Sequence, residues 1–192
     1  MKKIYLIMLG FLLAQGFARD AHAQEKYKID PTHVSVVWFA THFNFSHPSG
    51  KFARVEGEFT IDEKNPNLSY VTATVYTDSL ITGFKKFDDH IMSSDFLYAG
   101  KFPQAVFVSE KIEMTGEKMA DIHGSLTMLG ITRPLVLHAK LNRIGENPAN
   151  NTKTAGFSMD AVIKRSEYGI NYALPGVADE VALRIEVEGK AE

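Results

Sequence analysis

The sequence predicts an all-β protein, an eight-stranded antiparallel barrel with one short helix inserted between its third and fourth strands. Three observations predict it. Apolar and polar residues alternate with period two in about eight segments, the pattern of strands with one face in a core and one in water. The connections between them are short and rich in Gly, Pro and Asn, which favours antiparallel neighbours over parallel crossovers. A single stretch abandons the alternation for helical spacing. Closure into a barrel leaves no open sheet edge, which suits a chain that has no cysteine and therefore no disulfide to hold it.

Taken in order, residues 1–23 read as a cleaved signal peptide, followed by one domain over residues 24–192. Lys2 and Lys3 precede an apolar run from Ile4 to Phe17, and Ala21-His22-Ala23 puts small residues at the positions a signal peptidase reads. The run is shorter than the ~20 residues that span a bilayer, so no stable membrane anchor is expected. Cleavage is expected after Ala23, giving a periplasmic protein, with secretion as the alternative. The leader holds Lys2, Lys3, Arg19 and Asp20, so the remaining chain carries a formal charge of about −4. With no basic excess to neutralise phosphates, no nucleic-acid partner is expected.

The first strand is expected near residues 33–45. Val55, Gly57, Phe59 and Ile61 then alternate with Arg54, Glu56, Glu58 and Thr60, and Val71, Ala73 and Val75 with Thr72, Thr74 and Tyr76. Phe84, Phe87 and Ile91 recur at helical spacing from Gly83 to about Ser94, with Asp88 and Asp89 on the polar side, until Pro103 ends the segment. Strands follow at 104–112, 119–129, 135–142, 154–165 and 181–188. In the last, Val181, Leu183, Ile185 and Val187 share one face and Ala182, Arg184, Glu186 and Glu188 the other. Pro48-Ser49-Gly50, Lys64-Asn65-Pro66-Asn67, Thr115-Gly116-Glu117 and Leu129-Gly130-Ile131 read as turns, and Gly145 to Asn151 as a longer loop. The helix is expected to plug or cover one end of the barrel.

An eight-stranded barrel is either filled by its side chains or holds one small ligand. The predicted inner faces mix small residues (Gly57, Ala73, Ala105, Gly124, Ala139) with large ones, so pattern alone leaves a ligand cavity and a packed core equally open. Catalytic signatures are lacking. There is no G-x-S-x-G elbow, no HExxH, no P-loop and no dinucleotide fingerprint, and no metal or cofactor is expected. His33 and His42 lie nine residues apart, an odd spacing that puts them on opposite faces of an unbulged strand.

Several blocks, in order, resemble one family. They are Tyr27-Lys28-Ile29-Asp30-Pro31-Thr32-His33, Asp88 to Phe96 continuing into Phe102-Pro103-Gln104-Ala105-Val106-Phe107, Gly124 to Pro134, Arg165-Ser166-Glu167-Tyr168-Gly169, and Asp179-Glu180-Val181. From about Tyr27 to Lys190 the chain is similar to the YceI-like family, exported bacterial proteins with a lipocalin-like barrel that bind polyisoprenoid or similar lipids. It departs from the family's pattern at Val34, at Phe87 before the acidic pair, at Tyr168 in place of Phe, and at Trp38.

The resemblance implies a non-enzymatic carrier with an isoprenoid, isoprenoid-quinone or fatty chain threaded through the barrel. The inward residues expected to line that chain are Val55, Phe59, Val71, Val75, Phe107, Leu126, Leu137, Phe157, Leu183 and Ile185. Asp88, His90 and Arg165 are the candidates for contacts at the mouth or with a head group. For Arg165 the competing expectation is a pair with Asp179 or with an acid of the helix. The alternative function is a small acid–base enzyme acting on an isoprenoid or quinone through His90 with Asp88 or Asp89. A lipid is the expected small-molecule partner, and association into a homodimer is left open.

Overall fold

The computed structural model describes residues 24–192; the leader expected over 1–23 lies outside them. The strands are β1 (Glu25–His42), β2 (Ser49–Phe52), β3 (Val55–Ile61), β4 (Tyr70–Tyr76), β5 (Leu80–Ile81), β6 (Gln104–Gly116), β7 (Met119–Met128), β8 (Ile131–Glu146), β9 (Lys153–Lys164) and β10 (Val177–Ala191), with helix α1 (Lys85–Met92) between β5 and β6. Eight long strands run in the order β10-β9-β8-β7-β6-β4-β3-β1, every neighbouring pair antiparallel, and β10 pairs back onto β1 to close the barrel. The helix falls between the third and fourth of these. Two short strands add to the expected eight: β2 continues the β3 side along the end of β1, and β5 pairs with β2. The turn expected at Pro48-Ser49-Gly50 lies instead at residues 43–45, and Ser49-Gly50 begins β2.

The first strand starts earlier than alternation suggested, at Glu25 instead of residue 33. Its register breaks between Ile29 and Val34, where Asp30-Pro31-Thr32-His33 bulges out of the ladder. A proline cannot donate to the ladder and is accommodated at such a bulge, which is why the period-two pattern is interrupted there although the strand is not. Asp30 is almost fully buried at the bulge. Its carboxylate meets Lys190 Nζ and His33 Nδ1, each at 2.8 Å, and accepts the Thr32 N–H and hydroxyl. The Asp-x-x-His block is thus a clamp between the first strand and the last.

Antiparallel alternation gives the barrel two distinct ends. The lower end carries the β3–β4 loop, the β6–β7 turn and the β8–β9 loop. The upper end carries residues 43–48, the segment from β5 through α1 to β6, the β7–β8 turn and residues 165–176. At the upper end Phe87 of α1 packs edge-on against Trp38 of β1, ring centroids 6.2 Å apart. The indole lies flat on β2, because a Cβ at Gly50 would sit 2.7 Å from Trp38 Nε1. The helical insertion is tied where it leaves and rejoins the barrel, as buried Thr77 donates its hydroxyl to Phe102 O at 2.8 Å and its N–H to Pro103 O at 2.9 Å.

Near the lower end Tyr27 and Phe59 stack at 5.1 Å, and Phe157 meets Phe59 edge-on at 5.6 Å. Phe59 rests on Gly189 of β10, where an added Cβ would come within 2.4 Å of the ring. Gly189→Ala is therefore expected to push Phe59 off Tyr27 and to destabilise the fold by about 1–2 kcal/mol through overpacking. Urea denaturation with an unchanged midpoint would show that the ring moves aside freely.

Candidate ligand-binding site

Period two delivers the site. Alternate residues on each long strand face the barrel axis, and those of β3, β4, β6, β7, β8, β9 and β10 are almost entirely aliphatic or aromatic. They do not fill the interior. A lower chamber of about 400 Å³ is lined by all ten residues expected inward: Val55, Phe59, Val71, Val75, Phe107, Leu126, Leu137, Phe157, Leu183 and Ile185. Ala73, Ala105 and Ala139 line it too, supplying the space that larger side chains would occupy. Val71, Val75, Phe157, Leu183 and Ile185 face the axis yet stay only partly buried, as apolar groups do around a space the chain itself leaves open. Gly57 and Gly124, expected among the inner small residues, contribute close strand approach instead of chamber wall, since a Cβ at either would collide with the neighbouring strand's backbone.

A second chamber of about 370 Å³ lies above the first, lined by Trp38, Phe43, Phe52, Phe87, Ile91, Phe96, Leu97, Ile170, Tyr172 and Val181 among others. Val36, Val75, Ala105, Leu126 and Leu183 belong to both walls. They form a waist between the two chambers, which stack along the barrel axis as one apolar lining from α1 to the lower loops. Both volumes fall in the range of small-ligand sites, about 300–1,000 Å³. Only part of the upper chamber is legible in the sequence, because much of its wall comes from α1, the segment after it and the 165–176 loop, which carry no period-two signal.

The three candidates for mouth contacts take different places. Asp88 does not face the tunnel: its carboxylate accepts the Thr82 N–H and hydroxyl, at 2.6 and 2.5 Å, and so fastens the first turn of α1. His90 lines the upper chamber, edge-on to both Phe96 and Tyr172 at 5.1 and 5.2 Å. Its nearest carboxylate is Asp95, 3.3 Å from Nε2. Asp89 is exposed and pairs with Lys85 one turn back along the helix. The acid–base pairing of His90 with Asp88 or Asp89 is thus not assembled, because one acid is spent on the helix start and the other points to solvent.

Arg165 also reaches the upper chamber wall, but its donors are occupied. Nε donates to Ala178 O at 2.9 Å, Nη1 to Ile170 O and Tyr172 O at 3.1 and 2.9 Å, and Nη2 to Val177 O at 2.8 Å. The side chain is 4% exposed. Burial pushes its guanidinium below its ordinary pKa, and the nearby charge of Asp179 opposes that shift. The expected Arg165–Asp179 pair is replaced by a different division of labour. Asp179 accepts the Ser166 N–H and hydroxyl, both at 2.8 Å, and the backbone N–H of Ser166 foremost holds its carboxyl below the usual range. The Arg165-Ser166 and Asp179-Glu180 blocks therefore meet in space and together brace the loop that roofs the upper chamber. Trp38 Nε1, buried in the upper chamber wall, has no hydrogen-bond partner among the described residues.

Among the described residues no three His, Asp or Glu side chains are grouped as metal ligands, and no helix is long and apolar enough to cross a membrane.

Comparison with known proteins agrees with this architecture. Residues 27–189 match the YceI-like domain. Protein YceI of Salmonella newport is 38% identical over 185 residues, which cover 95% of this chain and 96% of that protein. In the crystal structure of Burkholderia cenocepacia BcnA the same fold is superposed with a TM-score of 0.76 at 22% identity, covering 83% of this chain and 98% of that one. A polyisoprenoid binding domain from Saccharophagus degradans superposes with a TM-score of 0.67 at 12% identity, over 86% of this chain and 98% of that domain.

Proposed function

From the premise that this chain belongs to the YceI-like family, we propose that it is a periplasmic carrier that encloses one isoprenoid, isoprenoid-quinone or fatty chain in its tunnel. The two apolar chambers stacked along the barrel axis, with five residues common to their walls, carry the reading. Each methylene moved from water into such a lining contributes about 0.8 kcal/mol, so a long chain binds firmly with almost no polar contact. Such lipids have negligible free concentration in water, and a soluble carrier must surround the chain. The polyisoprenoid binding domain of similar fold supports the same class of cargo. The exported location rests on the leader at 1–23, with secretion beyond the cell as the alternative.

The residues lining the two chambers are suited to bind and shield an apolar chain. His90 and Arg165 stand at the upper chamber, where a polar end of the cargo would lie, while the ten aliphatic and aromatic side chains below would hold its tail.

Native mass spectrometry of protein purified from a periplasmic extract, followed by organic extraction, tests this. The expected mass is that of a chain beginning at Gln24 plus one lipid, recovered chemically unchanged. Protein that begins at Met1, or that carries no lipid and takes none up from detergent solution, would contradict the reading. The waist supplies a second check. Ala105, opposite Val75 in register, is expected as Ala105→Phe to block passage between chambers and weaken binding of a long prenyl chain by at least about tenfold, the loss of only two or three buried methylenes. A short chain that fits the lower chamber should bind nearly as before. Titrations with prenyl alcohols of increasing length measure the difference, and equal weakening at every length would show that the tunnel is not read as a ruler.

A further inference from the structure

The upper end of the barrel is unusual in what it exposes. Residues 43–48 link β1 to β2, and residues 80–86 contain β5 and the start of α1. The two segments are joined by the β2–β5 pairing, with Lys51 opposite Ile81 and Phe52 opposite Leu80. Phe45 is 90% exposed, Phe84 64% and Ile81 51%. Neither Phe45 nor Phe84 lines the tunnel, whereas Phe43, Pro48 and Phe52 of the same segments do. The projecting rings therefore sit immediately outside the apolar mouth.

Phe45 does not project because its loop is slack. His42 donates its N–H to Ser46 O at 2.9 Å, Phe45 donates to His42 O at 2.9 Å, and Phe43 donates to Gly176 O at 2.7 Å. Phe43 and Asn44 occupy left-handed backbone conformations, φ +47° and +59°, which is costly for a bulky aromatic residue. A strained turn pinned by these hydrogen bonds holds the phenyl ring of Phe45 out in water. Charge adds an independent observation. Over residues 42–52 and 80–86 there are three lysines (Lys51, Lys85, Lys86) and two histidines but no carboxylate, in a chain whose overall charge is negative. Asp89, one turn along α1, pairs with Lys85 at 2.7 Å, which leaves Lys51 and Lys86 as the lysines of the tip without an ion pair among the described residues.

We propose that this tip docks on the surface of a bilayer containing anionic lipids, with Phe45, Phe84 and Ile81 inserted among the acyl chains and Lys51 and Lys86 against the head groups, so that a lipid passes from membrane to tunnel without crossing water. Aromatic rings beside lysines are the side chains that partition into the head-group region of membranes, and each lysine near an anionic surface adds about a fivefold gain in binding. The purpose of the contact rests on the carrier reading; the contact itself does not.

The test uses the chain from Gln24 onward, which contains the whole closed barrel, and vesicles of phosphatidylcholine with or without phosphatidylglycerol. Sedimentation should show binding to the mixed vesicles that falls with salt. Phe45→Ser with Phe84→Ser should reduce that binding by at least about tenfold, leave thermal stability unchanged, and leave the final occupancy reached from detergent-dispersed prenyl lipid unchanged. Its uptake of lipid from vesicles should be slowed to a similar degree. Lys51→Glu with Lys86→Glu should remove the preference for phosphatidylglycerol and most of the salt dependence. Absence of wild-type binding to either vesicle, or equal binding by the serine variant, overturns the proposal. So does a wild-type dimer in sedimentation velocity that becomes monomeric in the serine variant without any vesicle binding, since the tip would then be covered by a second copy. If the wild type takes up no lipid from detergent yet binds vesicles as described, the carrier reading fails and the docking surface stands.

Discussion

Arg165→Ala is expected to destabilise the protein by about 3–5 kcal/mol, measured by urea denaturation at neutral pH. Four carbonyls from residues 170 to 178 converge on one buried guanidinium. Removing the side chain leaves them without their shared donor, beneath Tyr168 and Ile170, which are themselves buried. Charged donors contribute more than neutral ones, and an acceptor left unpaired in the interior costs its full desolvation. Arg165→Lys should recover little, because an ammonium is a point donor and cannot fan across acceptors that a planar guanidinium meets on two edges. The distinction from a ligand contact is direct. A variant as stable as wild type but unable to retain lipid would make Arg165 a head-group residue; a variant that is destabilised while its folded fraction keeps lipid makes it the brace of the loop.

The second large effect concerns acid. Burial alone would raise the pKa of Asp30, but the Lys190 ammonium, the His33 ring and the Thr32 hydroxyl and N–H outweigh it and hold the carboxyl well below the usual carboxylate range. Below about pH 4, the ordinary aspartate value, the unfolded chain binds a proton there that the folded chain refuses. The stabilisation is therefore complete at neutral pH and drains away as pH falls from about 4 through the depressed folded value. His33 works in the opposite sense. Its contact with Asp30 raises its pKa, so its contribution is present below about pH 6.5 and is lost as pH rises through the raised folded value. Asp30→Asn is expected to cost about 2–3 kcal/mol at pH 7, the loss of charge-assisted hydrogen bonds, and to flatten the acid limb of the stability profile. Denaturation midpoints of wild type and variant at several pH values check both parts; parallel profiles would show that Asp30 is not the group being titrated.

How far the sequence led depended on whether a residue's role was set by its own strand or by a distant one. The ten tunnel residues were legible because an inward position in a half-buried strand announces itself by its neighbours: Glu186 and Arg184 flank Ile185, and Thr74 and Tyr76 flank Val75. The length of β1 was hidden by the Asp30-Pro31 bulge, whose justification lies in Lys190 at the other end of the chain. β2 and β5 were hidden because four and two residues are too few to show a period. The role expected of Arg165 went to backbone carbonyls of its own loop, which have no signature in sequence. Asp88 was read as a mouth residue because it sits beside His90 in sequence, but on a helix adjacent residues point in different directions, and Asp88 turned back to Thr82.

The seam where β10 meets β1 has a consequence for the order of events in folding. Val34 pairs with Val187 and Tyr27 with Ala191, so the strand made first waits for the strand made last. Every other neighbouring pair of long strands can form while synthesis proceeds, but the tube stays an open sheet until the C-terminal residues arrive, and contacts of such long sequence separation form slowly. During that interval the apolar inner face lies open along its whole length. The closing strand is in this sense a zip fastener: loss of its pairing from Gly189 onward would open the seam at the lower end only, while Val34 to His42 stay joined to Val187 to Val177 and hold the rest of the tube shut.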